Sequence, residues 1–385
     1  MWQKIKNIYH FLVAALANFY YGFPSKKIKV IGVTGTDGKT TTTNLIAHIL
    51  KENGKKVSFI STVYAQVAGK VYDVGLHVTT PSSFMIQKFL HQAVTNGNEY
   101  FVLETTSHAL DQNRVWGVSY QIGVITNITH EHLDYHKNYL NYLKTKEKLL
   151  WMAKKGVVNF KGKEFKYFDK KLKNKLFDYY PKIKIIKKYF PNLEKFNQEN
   201  YAAALTVCKL LGLSEFEIVS AMKSFQLPKG RLDVVYDKEF KVIIDFAHTP
   251  NAFAQLLPEI RKKYLKNNGR LIHVFGSAGL RDPFKRPKMG EISSRFSDYI
   301  ILTEEDYRTE KLVDICNQIA SGIKKTAYKI IEKRDEAIKQ AILMAKKDDV
   351  VVLTGKAHEK SLCRGKIEYP WDEHQAVERA LEIKK

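Results

Sequence analysis

Residues 28–50 hold the chain to a narrow choice of folds. An apolar run, Ile28 to Val33, feeds a glycine-rich turn, Gly35-Thr36-Asp37-Gly38. The turn opens at Lys39-Thr40-Thr41 into a helical pattern carrying Leu45, Ile46, Ile49 and Leu50. Strand, turn and helix in that order make a βα unit of a parallel sheet, and they also make a phosphate cradle. Gly35 and Gly38 let backbone N–H groups turn inward, and the helix start adds partial positive charge. Lys39 can reach terminal phosphates, and the Thr40 hydroxyl can ligate Mg²⁺. Val33 stands where the general pattern has its first glycine, so the motif is the narrower GxxGTxGKT.

The alternation continues along the chain. Apolar strand candidates at 57–61, 100–103 and 121–126 are separated by helical patterns, which argues an α/β fold with a parallel sheet. Leu227-Pro-Lys-Gly-Arg231 breaks the pattern and reads as a domain junction. A second α/β set follows, with strands near 241–245, 270–275, 298–303 and 349–354, and a helix from Asp372 to Ile383. Residues 154–188 are crowded with lysine and read as a basic surface excursion of two short strands and a turn.

The net charge is +23. Such a balance can serve nucleic acid or anionic lipid. Here lysine dominates over arginine, and Ile, Asn, Tyr and Phe are also abundant, so the charge reads as a solvated lysine-rich surface, with no nucleic-acid partner expected. Cys208, Cys316 and Cys363 lie far apart and form neither a metal-ligand spacing nor a disulfide framework, which suits a reducing cytosol. Near the amino terminus, Lys4 and Lys6 precede a mostly apolar and aromatic run, Ile8 to Phe23. Ala15-Leu16-Ala17 looks like a signal-peptidase site, but a nucleotide loop needs the cytoplasm, and the run is short for a membrane span. It is expected to form an amphipathic helix docked on the protein, with peripheral contact to the inner membrane face through residues 1–23 as the other reading.

In an open parallel sheet, ligands collect beyond the carboxyl ends of the strands. Tyr100-Phe-Val-Leu-Glu104 is an apolar strand ending in a carboxylate, where an acid that binds Mg²⁺ or orients water would stand. Ile122 to Asn127 runs into a loop holding His130, Glu131, His132, Asp134 and His136. Zinc is conceivable there, but no cysteine accompanies these residues, and the phosphate loop already implies Mg²⁺.

These segments resemble the Mur ligase family of ATP-dependent amino-acid ligases, in particular its members that add the third residue to the muramyl peptide. The resemblance runs from about Ile28 to Leu381. It rests on the phosphate loop, Thr79-Thr-Pro81, Glu104-Thr-Thr-Ser-His-Ala-Leu110, Asp111-Gln-Asn-Arg114 and Asn127 to His136. It continues through Phe196 to Asn200, Lys229 to Asp233, Asp245 to Pro250, Gly276 to Asp282, Lys285-Arg-Pro287 and Gly355 to Glu359. With the apolar, aromatic helix expected over 1–26, the resemblance implies a P-loop central ATPase domain with a parallel sheet over 27–228 and a Rossmann-like C-terminal ligase domain over 229–385. It implies ATP and Mg²⁺, a muramyl-peptide acceptor such as UDP-MurNAc-L-Ala-D-Glu, a free amino acid, and a monomer in the cytoplasm. By the resemblance, Lys39, Glu104, His132 and Lys146 are catalytic. Gly35, Thr36, Asp37, Gly38, Lys39, Thr40, Thr41, Asn197, Asn200, Asp245 and His248 bind ATP. Thr40 and Glu104 hold one Mg²⁺, His132 helps to hold a second, and Lys146 acts as a carbamate made from CO₂. Thr79, Thr80, Thr106, Gln112 and Arg114 bind the acceptor. Arg281, Glu305, Asp306, Tyr307, Arg308, Gly355 and Glu359 meet the amino acid.

Two departures stand out. Only some 27 residues precede the phosphate loop, where the family places a domain that grips the UDP group. Either residues 1–26 and the basic surface take over that grip, or the acceptor is not UDP-linked; a lipid-linked acceptor would suit a membrane-docking amino terminus. Diaminopimelate-adding members carry Asp-Asn-Pro-Arg where this chain has Glu305-Asp306-Tyr307-Arg308. The added charge of Asp306 would favour a cationic side chain such as lysine, while the retained Arg308 suits meso-diaminopimelate. Folylpolyglutamate and poly-γ-glutamate synthases are alternatives within the wider family. A nucleic-acid-dependent NTPase is the alternative from another class.

Overall fold

The computed structural model describes residues 2–73, 79–129, 131–266 and 268–384. The chain divides into two units, Met1–Gln226 and Leu227–Lys385. The first opens with helix α1 (Trp2–Tyr20), followed by strand β1 (Lys29–Thr34), α2 (Lys39–Glu52), β2 (Val57–Ile60), β3 (Ala65–Val67), β4 (Lys70–Tyr72) and α3 (Ser83–Thr95). Then come β5 (Tyr100–Glu104), α4 (Ser107–Asp111), β6 (Tyr120–Ile125), α5 (Leu133–His136), α6 (Tyr139–Met152), β7 (Ala153–Val158) and β8 (Leu176–Asp178). Helices α7 (Ile183–Tyr189), α8 (Lys195–Leu210) and α9 (Glu215–Lys223) complete the unit.

Its eight strands form one sheet in the order β4-β3-β2-β5-β1-β6-β7-β8, parallel except at the β3 and β4 edge. The central strands are apolar on both faces, as a doubly covered parallel sheet requires. Ile31, Val33, Val102 and Val124 pack against Leu45, Ile46 and Ile49 of α2 and against Ala203 and Val207 of α8. Val30, Phe101 and Leu103 point the other way, onto Ile86 and Leu90 of α3 and Leu149 of α6. Register sets the active edge: Val33 lies beside Glu104, and Thr34 beside Ile125. Three strand ends therefore open onto one place.

The lysine-rich stretch 154–188 is more than a surface excursion. Its strands β7 and β8 extend the main sheet in parallel, and Val157, Val158, Leu172, Tyr179 and Ile186 are buried. The lysines hold the alternate, solvated positions, and their number hid the apolar partners.

The second unit contains β9 (Asp233–Asp237), β10 (Lys241–Asp245), α10 (Pro250–Tyr264), β11 (Leu271–Phe275), α11 (Lys285–Phe296), β12 (Tyr299–Leu302) and α12 (Leu312–Ala320). It continues with β13 (Ala327–Ile330), α13 (Arg334–Met344), β14 (Val350–Thr354), the hairpin β15 (Ser361–Arg364) and β16 (Ile367–Pro370), and α14 (Glu373–Lys384). The six-stranded sheet runs β13-β12-β11-β14-β10-β9, parallel apart from β9. Val242, Ile244, Val274 and Leu353 form a core with Ile338 and Ile342 of α13 and Val377 of α14.

Candidate functional site

The loop after β1 is shaped by two glycines. A Cβ on Gly35 would come within 1.8 Å of Thr126 Oγ1, and one on Gly38 within 2.1 Å of Asn200 Oδ1. Both have positive φ, +155° and +80°, which a side chain would strain. Thr36 and Asp37 are pinned by the loop after β6. Thr36 N donates to Asn127 O at 2.9 Å, Asp37 N donates to Asn127 Oδ1 at 3.0 Å, and Thr126 Oγ1 donates to Asp37 O at 2.6 Å. Helix α2 starts at Lys39, so its first N–H groups, through Thr41, have no carbonyl a turn earlier within the helix and suit an anion. Lys39 Nζ stands over the loop, donating to the carbonyls of Thr36 (2.8 Å) and Gly35 (3.1 Å).

Glu104 ends β5 fully buried. Its Oε1 accepts from Thr40 Oγ1 (3.1 Å) and Thr62 Oγ1 (2.8 Å), and its Oε2 accepts from Thr62 N (2.8 Å). A carboxylate and two hydroxyls form an all-oxygen set beside the phosphate cradle, the hard donor chemistry that Mg²⁺ prefers. Sequence reasoning missed Thr62. It follows the carboxyl end of β2, the neighbour of β5, and the strand-end rule would have found it once the strand order was known.

Lys146 lies on α6, where its neighbours Lys144 and Lys148 are solvated, yet it is 1% exposed. Its Nζ donates to Gly35 O at 2.6 Å and reaches Thr34 Oγ1 at 3.5 Å, above the ring of Tyr142. Burial, reinforced by the charge of Lys39, holds its ammonium well below the ordinary lysine range, against the pull of Glu131, Asp37 and Glu104. The site thus disfavours the charged form of the amine. Tyr142, one turn earlier on α6, was also missed. Its OH lies 3.3 Å from Thr36 Oγ1, tying α6 to the loop.

His132 takes a left-handed backbone (φ +54°) and faces Glu131 at 3.8 Å, with the His108 ring 5.0 Å away. His136 is buried, with Nε2 3.1 Å from Ser107 Oγ, and burial pulls it down to about 4. His130 lies outside the described residues. The expected acceptor residues form a connected group next to this cluster. Thr80 Oγ1 donates to Glu104 O (3.0 Å), Thr106 N donates to Thr80 Oγ1 (2.9 Å), and Arg114 Nη1 donates to Thr80 O (2.6 Å). Thr79 Oγ1 accepts from Thr62 Oγ1 at 3.2 Å, and Gln112 Nε2 donates to Tyr135 OH at 3.5 Å. Asn197 and Asn200 are buried in a chain of bonds. Asn197 Nδ2 donates to Glu194 Oε2 (3.0 Å), Asn200 Nδ2 to Asn197 Oδ1 (3.1 Å), and Thr42 Oγ1 to Asn200 Oδ1 (3.4 Å). They brace the start of α2.

In the second unit the expected residues gather at the carboxyl ends of β10, β11, β12 and β14. Asp245 is buried and accepts from Leu232 N (2.8 Å) and Ala247 N (2.7 Å); burial raises its carboxyl. His248 Nδ1 lies 2.9 Å from Phe246 O. Arg281 is exposed, and Tyr307 follows Asp306 on the loop after β12. Arg308, at φ +52°, donates from Nη1 to Gly279 O at 2.7 Å. Asp306 Oδ1 accepts from Lys356 Nζ (2.9 Å) and Cys363 N (3.0 Å). Lys356 also donates to Glu359 Oε2 at 2.5 Å. Burial would lower that ammonium, but Glu359 and Asp306 hold it above its usual value. Lys356, which sequence reasoning did not single out, shares its single charge between Asp306 and Glu359. Glu305 Oε2, buried beside Gly355, has no hydrogen-bond partner and is the carboxylate oxygen best placed for an incoming ammonium.

Known proteins resemble this chain in sequence and in fold. Residues 33–207 match the Mur ligase middle domain, and residues 230–357 the Mur ligase glutamate ligase domain. A UDP-N-acetylmuramoyl-L-alanyl-D-glutamate–2,6-diaminopimelate ligase of Clostridium acetobutylicum is 35% identical over 390 residues, covering 94% of this chain and 79% of the relative. A UDP-N-acetylmuramyl-tripeptide synthetase of Borreliella burgdorferi is 40% identical over 405 residues, covering 95% and 78%. A solved UDP-N-acetylmuramoyl-L-alanyl-D-glutamate–2,6-diaminopimelate ligase superposes with TM-score 0.57 at 26% identity, covering 93% and 79%. A bifunctional folylpolyglutamate synthase/dihydrofolate synthase of Yersinia pestis reaches TM-score 0.72 at 18% identity, covering 97% and 93%, a likeness of fold alone. Two matched domains in order, and relatives of such identity along nearly the whole chain, mean that the chain belongs to the Mur ligase family.

Proposed function

We propose that this chain is an ATP-dependent amino-acid ligase of peptidoglycan precursor synthesis. It adds the third residue to UDP-MurNAc-L-Ala-D-Glu and acts in the cytoplasm as a monomer. The observation that carries the reading is the meeting of Lys39, the Thr40–Thr62–Glu104 oxygen set and the buried Lys146 amine around one loop. The names of the relatives supply the substrate class.

In the reaction, the acceptor's carboxylate oxygen bonds to the γ-phosphorus of ATP as the bond to ADP breaks, giving an acyl phosphate. The amine of the incoming amino acid then attacks the acyl carbon, phosphate leaves, and the amine proton passes to solvent. Lys39 and the first N–H groups of α2 hold the phosphoryl charge. Mg²⁺, held by Thr40 and Glu104, supplies further neutralisation of the phosphate oxygens when bound, with His132 as a ligand for a second ion. Thr79, Thr80, Thr106, Gln112 and Arg114 orient the acceptor. Lys146 is the residue that would carry a carbamate. Its Nζ, when unprotonated, would bond to the carbon of CO₂ as one C–O π bond opens onto oxygen and the nitrogen's proton passes to solvent. The group would supply a further anionic oxygen to the site. Glu305 receives an ammonium of the amino acid and Arg308 a carboxylate, which favours meso-diaminopimelate over lysine.

A coupled phosphate-release assay tests this reading, crossing UDP-muramyl-dipeptide, a lipid-linked muramyl peptide and a folate with meso-diaminopimelate, lysine and glutamate. Turnover with a muramyl acceptor and meso-diaminopimelate is expected. Turnover with folate and glutamate alone would replace the reading with folylpolyglutamate synthesis.

A further inference from the structure

Helix α1 has two faces. Its docked side carries Gln3, Asn7, Phe11, Ala14, Ala17 and Asn18. Gln3 Nε2 donates to Tyr135 OH (2.8 Å), Asn7 Nδ2 to Asp111 Oδ2 (3.3 Å) and Asn18 Nδ2 to Trp116 O (2.8 Å), while Phe11 stacks edge-on against Trp116. The opposite side carries Ile5, Ile8, Tyr9, Leu12, Leu16, Phe19 and Tyr20, each between 52% and 77% exposed. At helical spacing these seven fall within an arc of about 120°. Phe84 and Met85 of α3 are also exposed, and Tyr20 meets Phe84 with ring centroids 6.3 Å apart, so the stripe widens there. An apolar surface of this size on a soluble fold marks a place that something covers.

Charge identifies what covers it. The first 27 residues include four lysines and no acidic residue. Lys6 lies at the flank of the stripe, Lys26 stands over the Phe23 ring beside Phe19, and Lys88 is one turn beyond Phe84. A second copy of this chain would carry the same basic rim and its own net +23, which opposes self-association. Anionic headgroups instead complement the basic rim, and acyl chains accept the aliphatic centre while Tyr9 and Tyr20 keep their hydroxyls at the interface. Among the described residues no helix is long and apolar enough to cross a membrane, so α1 would lie flat.

We propose that α1 docks this protein on an anionic bilayer surface, with the segment Asp111–Arg114 held against its inner side. The acceptor residues Gln112 and Arg114 then stand about one helix diameter, about 10 Å, from the lipid. The docking is independent of which acceptor the enzyme takes.

The test is flotation of the full chain with phosphatidylcholine vesicles, with and without phosphatidylglycerol. The wild type should float with the anionic vesicles only, and added salt should weaken the binding. Leu12→Asp/Leu16→Asp changes only exposed positions. It should keep the thermal transition and phosphate release of the wild type yet lower the partition coefficient more than about tenfold. Lys26→Glu/Lys27→Glu should weaken binding to anionic vesicles. Wild type that stays with the pellet in every mixture, or Leu12→Asp/Leu16→Asp that floats equally well, would overturn the proposal. So would binding indifferent to phosphatidylglycerol, or a dimer in sedimentation that the aspartates dissociate without any lipid binding.

Discussion

Lys146 shows how a residue's chemistry is made by its surroundings. Two lysines on the same helix, Lys144 and Lys148, stay in water, with exposed side chains paired to Glu147 and Asp111. Lys146 is turned into the end of β1, where Gly35 O is its main polar partner and where Lys39 repels its charge. Lys146→Met keeps the length of the side chain and removes the amine. It should leave the fold intact and lower phosphate release about 10²–10³-fold, the scale of losing one preorganised electrostatic group. Bicarbonate plus a short carboxylic acid should restore part of the rate in Lys146→Ala, and ¹³C-labelled bicarbonate should give a carbamate resonance only in the wild type. An unchanged rate in Lys146→Met would remove this residue from the mechanism. Glu104→Gln tests the other side of the loop. It keeps bonds to Thr40 and Thr62 in part but loses the charge, so the Mg²⁺ concentration for half-maximal rate should rise at least about tenfold. Lys39, Thr40 and Glu104 were legible in the sequence because they sit at strand ends, where a parallel sheet puts its chemistry. Lys146 was legible only through the family's spacing, since burial made by tertiary packing leaves no mark on the surrounding helix pattern.

At the level of elements, a buried ion pair ties α13 to α14 in the second unit. Arg334 opens α13, and Glu373 opens α14, both without exposure. Arg334 Nε and Nη2 donate to the two carboxylate oxygens at 2.9 and 2.5 Å, Nη2 also donates to Thr354 O at 2.8 Å, and Trp371 Nε1 donates to Glu373 Oε2 at 2.8 Å. Glu373→Gln leaves the guanidinium without its counter-charge and should cost about 3–5 kcal/mol in urea unfolding. Arg334→Leu/Glu373→Leu should cost less than Arg334→Leu and Glu373→Leu summed, and a strictly additive cycle would show that the pair acts as separate contacts. Strand positions were readable here, because a strand covered on both faces must be apolar throughout, as Val350 to Leu353 is. The ion pair was not readable. Arg334 and Glu373 sit in ordinary polar stretches, and only the packing of α14 alongside α13, start against start and end against end, brings them together. The same limit applied to β7 and β8, whose apolar residues are thinned out by exposed lysines.

For the molecule as a whole, net charge and buried histidine act in the same sense as pH falls. The net +23 already repels itself, and any proton taken up adds to that repulsion. His273 is fully buried between Ser293 Oγ (2.9 Å) and Thr354 Oγ1 (3.0 Å), and burial, then the charge of Arg334, lowers it to about 3. His358 is lowered to about 3 by burial and Arg231, and His136 of the first unit to about 4. In the unfolded chain each imidazole takes its proton near pH 6.5. Between that value and the folded one the unfolded state binds more protons, so stability is full above about pH 6.5 and is lost as pH falls through the window. The limiting slope is about 1.4 kcal/mol per pH unit for each such group. Urea unfolding from pH 7.5 to 5 isolates the histidines, because ordinary carboxylates titrate mostly below that range. Wild type should lose stability steadily below pH 6.5. His273→Gln keeps one polar contact but has no proton to gain. It should be less stable at pH 7.5 and show a slope smaller by about 1.4 kcal/mol per pH unit. Equal slopes in the two proteins would mean that His273 is protonated in the folded core, and the neutral reading of that site would fall.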